Sequence, residues 1–406
     1  MSSQRTDTQE GRINLFDPAF TANPQPVYQE LHKKCPVAHT AGVGGRALTR
    51  YEDVLFALRH PENFSSAMGA ARLGNVRPLI PLQIDPPELV KYRKLLDPLF
   101  SHKKSLEMAP DMRKLANQLI DAFIDTGECE FTKDFAIPYP CTVIVRLMGL
   151  PQEDLDLLLE LKNGIVRPTT TDYEEATRLR AETAQRIYAY FEKVLDLREK
   201  KSGEDLISYF LAAEVGGERL TRNDVLDICF LFLLGGLDTV TASLGCGFAY
   251  LATHPEQRRL IVEDPSLIPT AAEELLRWDT PVMGVARVVK QDVTIGDVEL
   301  KAGESVTVLL GAADVDEQEF PEANRVDFRR ERNRHLAFGG GAHRCLGSHL
   351  SRVELCVAYE EFHRRIPEYQ LKTGEEPKYG LGIREVQHLP LVFGDAAASG
   401  GQKASE

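Results

Sequence analysis

The spacing of apolar positions along the chain predicts a mostly helical protein. Over most of the sequence, apolar residues return every three or four positions, as expected for helices with one buried face. We predict helices at 26–34, 51–58, 88–100, 106–125, 152–163, 173–200, 205–213, 222–254, 270–278 and 346–365. Strand patterns are short and all follow the long apolar helix, at 285–289, 292–300 and 305–311. The predicted fold class is therefore mainly α with small β-sheets, not a doubly wound α/β fold.

The same pattern predicts a single domain. No Gly/Ser-rich or Pro-rich linker and no repeat divides residues 13–394. The segments 1–12 and 395–406 consist largely of polar or small residues, which is typical of mobile chain ends. We therefore predict one domain with a mobile segment at each end.

Composition narrows the classes of partner. Hydrophobic residues make up 43% of the chain and the net charge is −13, which argues against nucleic acid or an anionic membrane as the main partner. Seven scattered cysteines form no C-x-x-C pair, which suits a reducing compartment. The chain starts without a basic segment followed by an apolar run. We expect a cytoplasmic protein, and a monomer.

The predicted helix at 222–254 is nearly uncharged. Thr221 and Asp224 form a capping box at its start, and Pro255 marks its end. Between residues 228 and 253 the only charged residue is Asp238. A membrane span and a buried core helix both explain such a stretch, and its four glycines and central charge favour the core helix.

The segment Gly235-Gly236-Leu237-Asp238-Thr239 is unusual within this helix. Two adjacent glycines cost a helix about 1 kcal/mol each relative to alanine. They are tolerable where a flat ligand must approach the backbone, and a buried carboxylate and hydroxyl beside them could pass protons. Helix packing is the competing explanation, and the sequence leaves both open.

The segment 338–347, Phe-Gly-Gly-Gly-Ala-His-Arg-Cys-Leu-Gly, carries the strongest chemical signal. Three glycines before Cys345 allow close approach of the backbone to a bulky group. Backbone amides there and at the start of the following helix are expected to lower the pKa of the thiol. The other six cysteines are interpreted as small buried apolar residues.

This segment resembles the haem-binding loop of the cytochrome P450 family, whose pattern is F-G-x-G-x-H-x-C-x-G. All six specified positions match. The resemblance, which extends from about Asp17 to Val392, implies the P450 fold, with the long central helix over haem b and the cysteine loop beneath it. It implies Cys345 as the thiolate ligand of the iron. It also implies that further loop residues contact the cofactor, namely Phe338, Gly339, His343, Leu346 and Gly347.

Other family motifs occur in the expected order. Glu274 and Arg277 match E-x-x-R, and in the family a later arginine joins this pair, which we assign to Arg325. Residues 236–239 resemble the oxygen-activating motif, which implies Asp238 and Thr239 as catalytic residues and Gly235 and Gly236 as cofactor neighbours. In GGLDTV and RIPEY the chain is similar to bacterial enzymes of the camphor-hydroxylase type.

The chain departs from the family pattern at Leu89. Many relatives have a histidine there that binds a haem propionate, so the resemblance leaves Arg93, Arg287 and His343 as propionate partners. Ser351 also replaces a frequent alanine.

The resemblance implies a monooxygenase that inserts one atom of O₂ into a small molecule. No flavin or iron–sulfur segment is visible, so electrons are expected from NAD(P)H through a ferredoxin reductase and a ferredoxin. Between Arg329 and Arg352 there are six arginines and one acid; this segment is either a solvated loop or a basic docking face for the ferredoxin. A peroxide-driven peroxygenase and a non-catalytic haem sensor are the alternative functions.

The substrate loops implied by the resemblance are largely apolar. They are 66–84, 164–175, Pro281–Val285 and Leu381–Ile383, with Val282, Val285 and Ile383 as pocket residues. A terpenoid, fatty acid or steroid-like substrate is expected. Arg77, in the first loop, and Arg167, in the second, either meet a substrate carboxylate or face water, and exposure to water is favoured.

Overall fold

The computed structural model describes residues 12–15, 17–40, 45–67, 69–71, 73–170 and 172–394. The predicted mobile segments therefore lie outside the described residues, apart from Arg12, which belongs to a strand. The helices are α1 (Pro18–Ala22), α2 (Gln25–Lys34), α3 (Tyr51–Arg59), α4 (Glu88–Leu96), α5 (His102–Glu107), α6 (Ala109–Asp121), α7 (Pro138–Leu147), α8 (Leu155–Val166), α9 (Tyr173–Lys200), α10 (Leu206–Ala212), α11 (Arg222–Gly236), α12 (Thr239–Thr253), α13 (Pro255–Glu263), α14 (Ile268–Trp278), α15 (Leu310–Ala313) and α16 (Ser348–Arg365).

The strands are short and lie in five small sheets of the described chain. They are β1 (Arg12–Ile13), β2 (Val37–Thr40), β3 (Arg46–Leu48), β4 (Phe64–Ser65), β5 (Glu128–Glu130), β6 (Glu214–Val215), β7 (Glu218–Arg219), β8 (Val285–Val289), β9 (Val293–Ile295), β10 (Val298–Leu300), β11 (Ser305–Val308), β12 (Tyr369–Leu371), β13 (Lys378–Tyr379), β14 (Val386–His388) and β15 (Pro390–Phe393). The mainly α class with small sheets is confirmed.

The prediction that all strands follow the central helix was wrong. The largest sheet has the order β1-β2-β3-β11-β8-β4, so four of its six strands come from the first 65 residues. β3 and β11 pair in parallel, with Val306 opposite Arg46, and β11 pairs antiparallel with β8. Two- and three-residue strands are too short to show a period of two, which explains why the sequence pattern missed them.

Most predicted helices are confirmed within two or three residues. The helix predicted at 106–125 is instead divided at Met108 into α5 and α6, with Pro110 in the first turn of α6, where proline is tolerated. α7 was missed; Pro138 and Pro140 lie in its first turn. α13 was missed as well. It begins at Pro255, directly after α12.

The central helix is divided in two. The capping box of Thr221 and Asp224 is present, and α12 ends at Thr253, one residue before the predicted end, but the helix is interrupted at Leu237 and Asp238. By length and composition Arg222–Thr253 could cross a membrane. Its most apolar 18-residue stretch has a mean hydropathy of 1.8, yet 72% of that stretch is buried inside the protein. Such burial is typical of a core helix, the interpretation that the glycines favoured.

α11 and α12 join the two large apolar cores. Side chains of α12 pack with α6, α14 and α16, including Phe248, Tyr359 and Phe362. Side chains of α11 pack with α8, α9 and α10, including Phe191, Phe210 and Phe230. The break between α11 and α12 therefore lies where the two cores meet.

Candidate active site

Cys345 lies in a tight loop immediately before α16. Gly339 and Gly341 have φ of +66° and +64°, a left-handed conformation that favours glycine. The Cys345 amide donates to the Phe338 carbonyl at 2.8 Å, which closes the loop. A β-carbon on Gly341 would overlap the Leu58 carbonyl of α3. The glycines thus let the loop turn sharply and approach α3.

Desolvation and the predicted backbone donor act in opposite directions on the pKa of the Cys345 thiol. The residue is exposed, but it lies in a recess, and desolvation by the surrounding protein raises its pKa. The Gly347 amide donates to the sulfur and lowers the pKa, as do the charges of Arg93 and Arg344, but they do not outweigh desolvation. A metal ion bonded to the sulfur would supply the additional positive charge that holds a thiolate.

Two buried side chains near the loop fit an anionic cofactor. Arg287 on β8 is 6% exposed and has no carboxylate partner in the described part of the chain; its Nη1 donates to the Ala286 carbonyl. Desolvation lowers the pKa of Arg287 to about 10. His343 has a buried Nε2 without a hydrogen-bond partner among the described residues, and burial, then the Arg287 charge, lower its pKa to about 4. An unpaired buried guanidinium is costly, so both residues suit haem propionates.

Arg93, the remaining predicted propionate partner, already has hydrogen-bond partners in the protein. Arg93 on α4 pairs with Asp97 at 2.8 Å and donates to the Arg344 carbonyl at 2.9 Å. Its side chain is only 20% exposed. Leu89, in place of the family's histidine, is buried and offers no hydrogen bond. The propionate donors that this chain offers are therefore Arg287 and His343, with Arg93 beside the loop.

The two adjacent glycines of the central helix have different surroundings. A β-carbon on Gly235 would have nothing within 4 Å, whereas one on Gly236 would lie 2.9 Å from Ile144 of α7. Gly235 is also exposed, although most of α11 around it is buried. The Thr239 hydroxyl donates to the Gly235 carbonyl at 3.0 Å. Gly235 thus borders a groove that could admit a flat ligand, and Gly236 serves helix packing.

Asp238 is fully buried in the break between α11 and α12. Its Oδ1 accepts from Lys162 Nζ at 2.8 Å, and Arg167 donates to Oδ1 and Oδ2 at 3.1 and 3.0 Å. Arg167 also pairs with Glu385 at 2.8 Å. We call Lys162, Arg167, Asp238 and Glu385 the Asp238 cluster. Its charges balance, and Arg167 and Glu385 are its more exposed members, with 14% and 13% of their side chains exposed against 6% for Lys162.

The E-x-x-R pair forms a buried cluster whose third member differs from our assignment. Glu274 and Arg277 are both fully buried and make two hydrogen bonds of 2.8 Å. Arg330, not Arg325, completes the cluster, with Nε 3.2 and 3.1 Å from the two Glu274 oxygens. The Arg325 side chain is 67% exposed and pairs with Glu322. Arg325 contributes its carbonyl, which accepts from Arg277 and Arg330.

Three of the four predicted substrate loops meet in space. The Arg384 amide donates to the Pro281 carbonyl at 2.8 Å, and a β-carbon on Gly382 would lie 3.6 Å from the Val166 carbonyl at the end of α8. The pocket residues Val282, Val285 and Ile383 are half-buried there. Arg167 lies in the same region and pairs with Asp238, so the expectation that it faces water was wrong.

Arg77, in the loop 66–84, has a side chain that is 34% exposed but is also tied to a carboxylate of the protein. Its Nε and Nη2 donate to Asp227 of α11 at 2.9 and 3.2 Å, and its guanidinium lies 4.8 Å from the Tyr188 ring of α9. The Tyr188 hydroxyl donates to the same carboxylate at 2.8 Å. Arg77 therefore binds the carboxylate of Asp227 and not that of a substrate. Through Asp227 and Tyr188 it connects the loop 66–84 to α11 and α9.

The basic segment 329–352 near Cys345 offers fewer unpaired arginines than its sequence suggested. Three of its six arginines pair with acids of the protein: Arg330 with Glu274, Arg334 with Glu319 and Arg352 with Glu273. Arg329, Arg332 and Arg344 are exposed and form no ion pair with the described residues. A docking face on this side would therefore rest on these three.

Residues 141–373 match the family model described as Cytochrome P450. The chain is 34% identical over 356 residues to "Probable cytochrome P450 127A1" of Sinorhizobium fredii, covering 87% of this chain and 82% of that protein. It is 33% identical over 364 residues to "Steroid C26-monooxygenase" of Mycolicibacterium smegmatis, covering 87% and 89%. The solved structure of Cytochrome P450 CYP109Q5 from Chondromyces apiculatus superposes with a TM-score of 0.84 at 31% identity, covering 94% and 98%.

The chain belongs to the cytochrome P450 family. Like its relatives named as monooxygenases and hydroxylases, it is a P450 oxidoreductase, and its cofactor is thiolate-ligated haem b. The P450 fold that we predicted is confirmed. The finer similarity to camphor-hydroxylase-type enzymes stays a prediction.

Proposed function

We propose that the protein inserts one oxygen atom of O₂ into a hydrophobic small molecule, with haem held by Cys345. One observation carries this proposal. Arg287 is buried without an ion-pair partner among the described residues, and His343, in the loop that leads to Cys345, has a buried Nε2 without a hydrogen-bond partner among them. Haem b fits that arrangement, because its two propionates would neutralise Arg287 and accept a hydrogen bond from His343.

The residues around this loop would hold the cofactor between two helices. Cys345 would bind the iron, the Gly347 amide would support the sulfur, and Gly235 would leave room on the opposite face. Phe338, Gly339 and Leu346 would line the sulfur side. Bound haem supplies the activation of O₂, which thiolate donation favours.

Proton delivery is proposed for Thr239 and Asp238. Thr239 lies one turn from Gly235, so its hydroxyl borders the groove. Asp238 has no direct contact with water, so protons would reach it by way of the Glu385 carboxylate, which Arg167 holds beside Asp238 by pairing with both acids. Desolvation raises the pKa of Glu385, which makes this carboxylate the member best suited to take up a proton.

The substrate is proposed to be hydrophobic, and a steroid is the first class to test. The loop residues Val282, Val285 and Ile383 are apolar and half-buried, and neither Arg77 nor Arg167 is free to bind a carboxylate. Relatives are named "Steroid C26-monooxygenase" and "Vitamin D(3) 25-hydroxylase". A solved structure of CYP109E1 from Bacillus megaterium, 25% identical with a TM-score of 0.87 over 93% of this chain and 99% of that one, contains testosterone.

Electrons are proposed to come from NAD(P)H through a ferredoxin reductase and a ferredoxin. The exposed Arg329, Arg332 and Arg344 would attract an acidic protein to the cysteine side. We further propose a single domain over residues 13–394 and a monomeric cytoplasmic enzyme.

The proposal is tested by replacing Cys345 with serine, with Cys35→Ser as the matched control. The wild type and the control are expected to bind haem, to give the red-shifted carbon monoxide spectrum of a thiolate complex, and to turn over with ferredoxin and its reductase. Cys345→Ser is expected to lose that spectrum and the turnover. An unaltered spectrum in Cys345→Ser would refute the ligand. Greater turnover with hydrogen peroxide than with the ferredoxin system would favour a peroxygenase.

A further inference from the structure

A hydrogen-bonded cluster next to the cysteine loop has no part in the function proposed above. Glu273 on α14 accepts from Arg352 of α16 at 2.6 and 2.8 Å and from His335 at 3.0 Å. The Ala337 amide donates to Nδ1 of His335 at 3.2 Å, so Nε2 carries the proton that His335 shares with Glu273. One carboxylate thus joins two helices to the segment that leads into the loop.

The arginine of this cluster also covers an aromatic ring of the loop. The guanidinium carbon of Arg352 lies 4.4 Å from the centroid of the Phe338 ring, within the range of a cation–π interaction. The ring of His335 contacts the same phenylalanine at 5.8 Å between centroids. Because the Phe338 carbonyl accepts the Cys345 amide, Phe338 is tied to the cysteine by its backbone and to Arg352 by its side chain.

The cluster is held firmly in one arrangement. Burial alone would raise the pKa of Glu273, but hydrogen bonds from His335 and Arg352 offset it, and the pKa is lowered to about 2. Glu273 is therefore an anion at neutral pH. The Arg352 side chain is 29% exposed, and its guanidinium is held between the Glu273 carboxylate and the Phe338 ring.

We propose that Arg352 is a positioning residue that sets the reduction potential of the haem iron. It holds the Phe338 ring against the cysteine loop and keeps a positive charge beside that loop. Reduction of the iron adds a negative charge to this centre, so a nearby cation favours the ferrous form. The inference rests on the proposed binding of haem by Cys345.

The test is a potentiometric titration of the haem-loaded protein without ferredoxin. We expect Arg352→Gln to shift the ferric–ferrous equilibrium about three- to tenfold toward ferric, a tenfold change being about 59 mV for one electron. Arg352→Lys keeps the charge but loses the flat contact with the ring, so a smaller shift in the same direction is expected. Arg332→Gln is the matched control: Arg332 is an exposed arginine of the same basic segment and pairs with no acid of the described residues, so a shift below about twofold is expected.

Four outcomes would overturn the proposal. An unchanged potential in Arg352→Gln, with only the KM for ferredoxin raised, would make Arg352 a docking residue. Equal shifts in Arg352→Gln and Arg332→Gln would mean that any charge of the basic segment suffices. An undiminished effect of Arg352→Gln in a Phe338→Leu background would exclude the ring contact. If Arg352→Gln does not load haem, an unchanged potential in Arg352→Lys decides against the proposal.

The failure of this inference is distinguishable from that of the proposed function. A wild type without the thiolate carbon monoxide spectrum would disprove ligation by Cys345, whatever the variants do. A normal wild-type spectrum with unshifted variants would disprove the role of Arg352 alone.

Discussion

Replacing Arg330 with leucine tests the buried cluster that the structure assigns differently from the sequence. The Arg330 side chain is 9% exposed. Besides its two contacts with Glu274, it donates to the Pro321 and Arg325 carbonyls at 2.8 and 3.0 Å. Removing one partner of a buried ion pair costs about 3–5 kcal/mol. Because Glu274 keeps Arg277, we expect the lower end, about 3 kcal/mol.

This loss of unfolding free energy in Arg330→Leu corresponds to a measurable fall in the melting temperature, Tm. An unfolding entropy of about 2.1 cal/mol/K per residue, over 406 residues, gives a fall in Tm of about 3–4 °C. The measurement is scanning calorimetry of haem-loaded protein at one scan rate. The matched control is Arg325→Leu, whose exposed ion pair is expected to contribute little, with a shift below about 1 °C. Equal shifts in the two variants, or none in Arg330→Leu, would refute the assignment of Arg330.

Three further predictions concern other parts of the molecule. Thr239→Ala is expected to uncouple NADH oxidation from product formation, and equal coupling in wild type and variant would contradict its role in proton delivery. Arg77→Ala removes the bonds to Asp227 and is expected to speed hydrogen exchange in residues 73–84 at least about fivefold, for a loss of about 1 kcal/mol; unchanged exchange there would argue against the tether. Burial raises the pKa of Glu354 from 4.5 to about 8, so the folded protein keeps a proton that the unfolded chain releases, and stability falls as pH rises through this window. Glu354→Gln should flatten that part of the urea-unfolding profile, and an unchanged slope would show that another group causes it.

Much of the helical framework could be predicted from the sequence, because long helices with one buried face repeat a clear pattern. The bounds of α9 were predicted to the residue and those of α2 within one. The strands before α11 could not be found, because they are only two to four residues long and because some, such as β3, pair with a strand more than 250 residues away. The break at Asp238 also depends on distant partners, Lys162 and Arg167, which no local pattern displays.

The candidate site divides in the same way. Residues of continuous motifs, such as Cys345 and the pair Glu274–Arg277, could be predicted. Residues that act through tertiary contacts were missed, namely Lys162, Glu385, Arg330 and Glu273. One of them had a usable signal, because Lys162 lies on the apolar face of α8, four residues after Leu158. A lysine at such a position requires a buried anion.

The adjacent glutamates of α14 impose a constraint on how this region can change. Successive residues of a helix point about 100° apart, and here Glu273 faces His335 and Arg352 while Glu274 faces Arg277 and Arg330. Neither carboxylate can replace the other. A one-residue deletion earlier in α14 would rotate both away from their partners at once, so this helix should tolerate substitutions on its outer face but not a change in length.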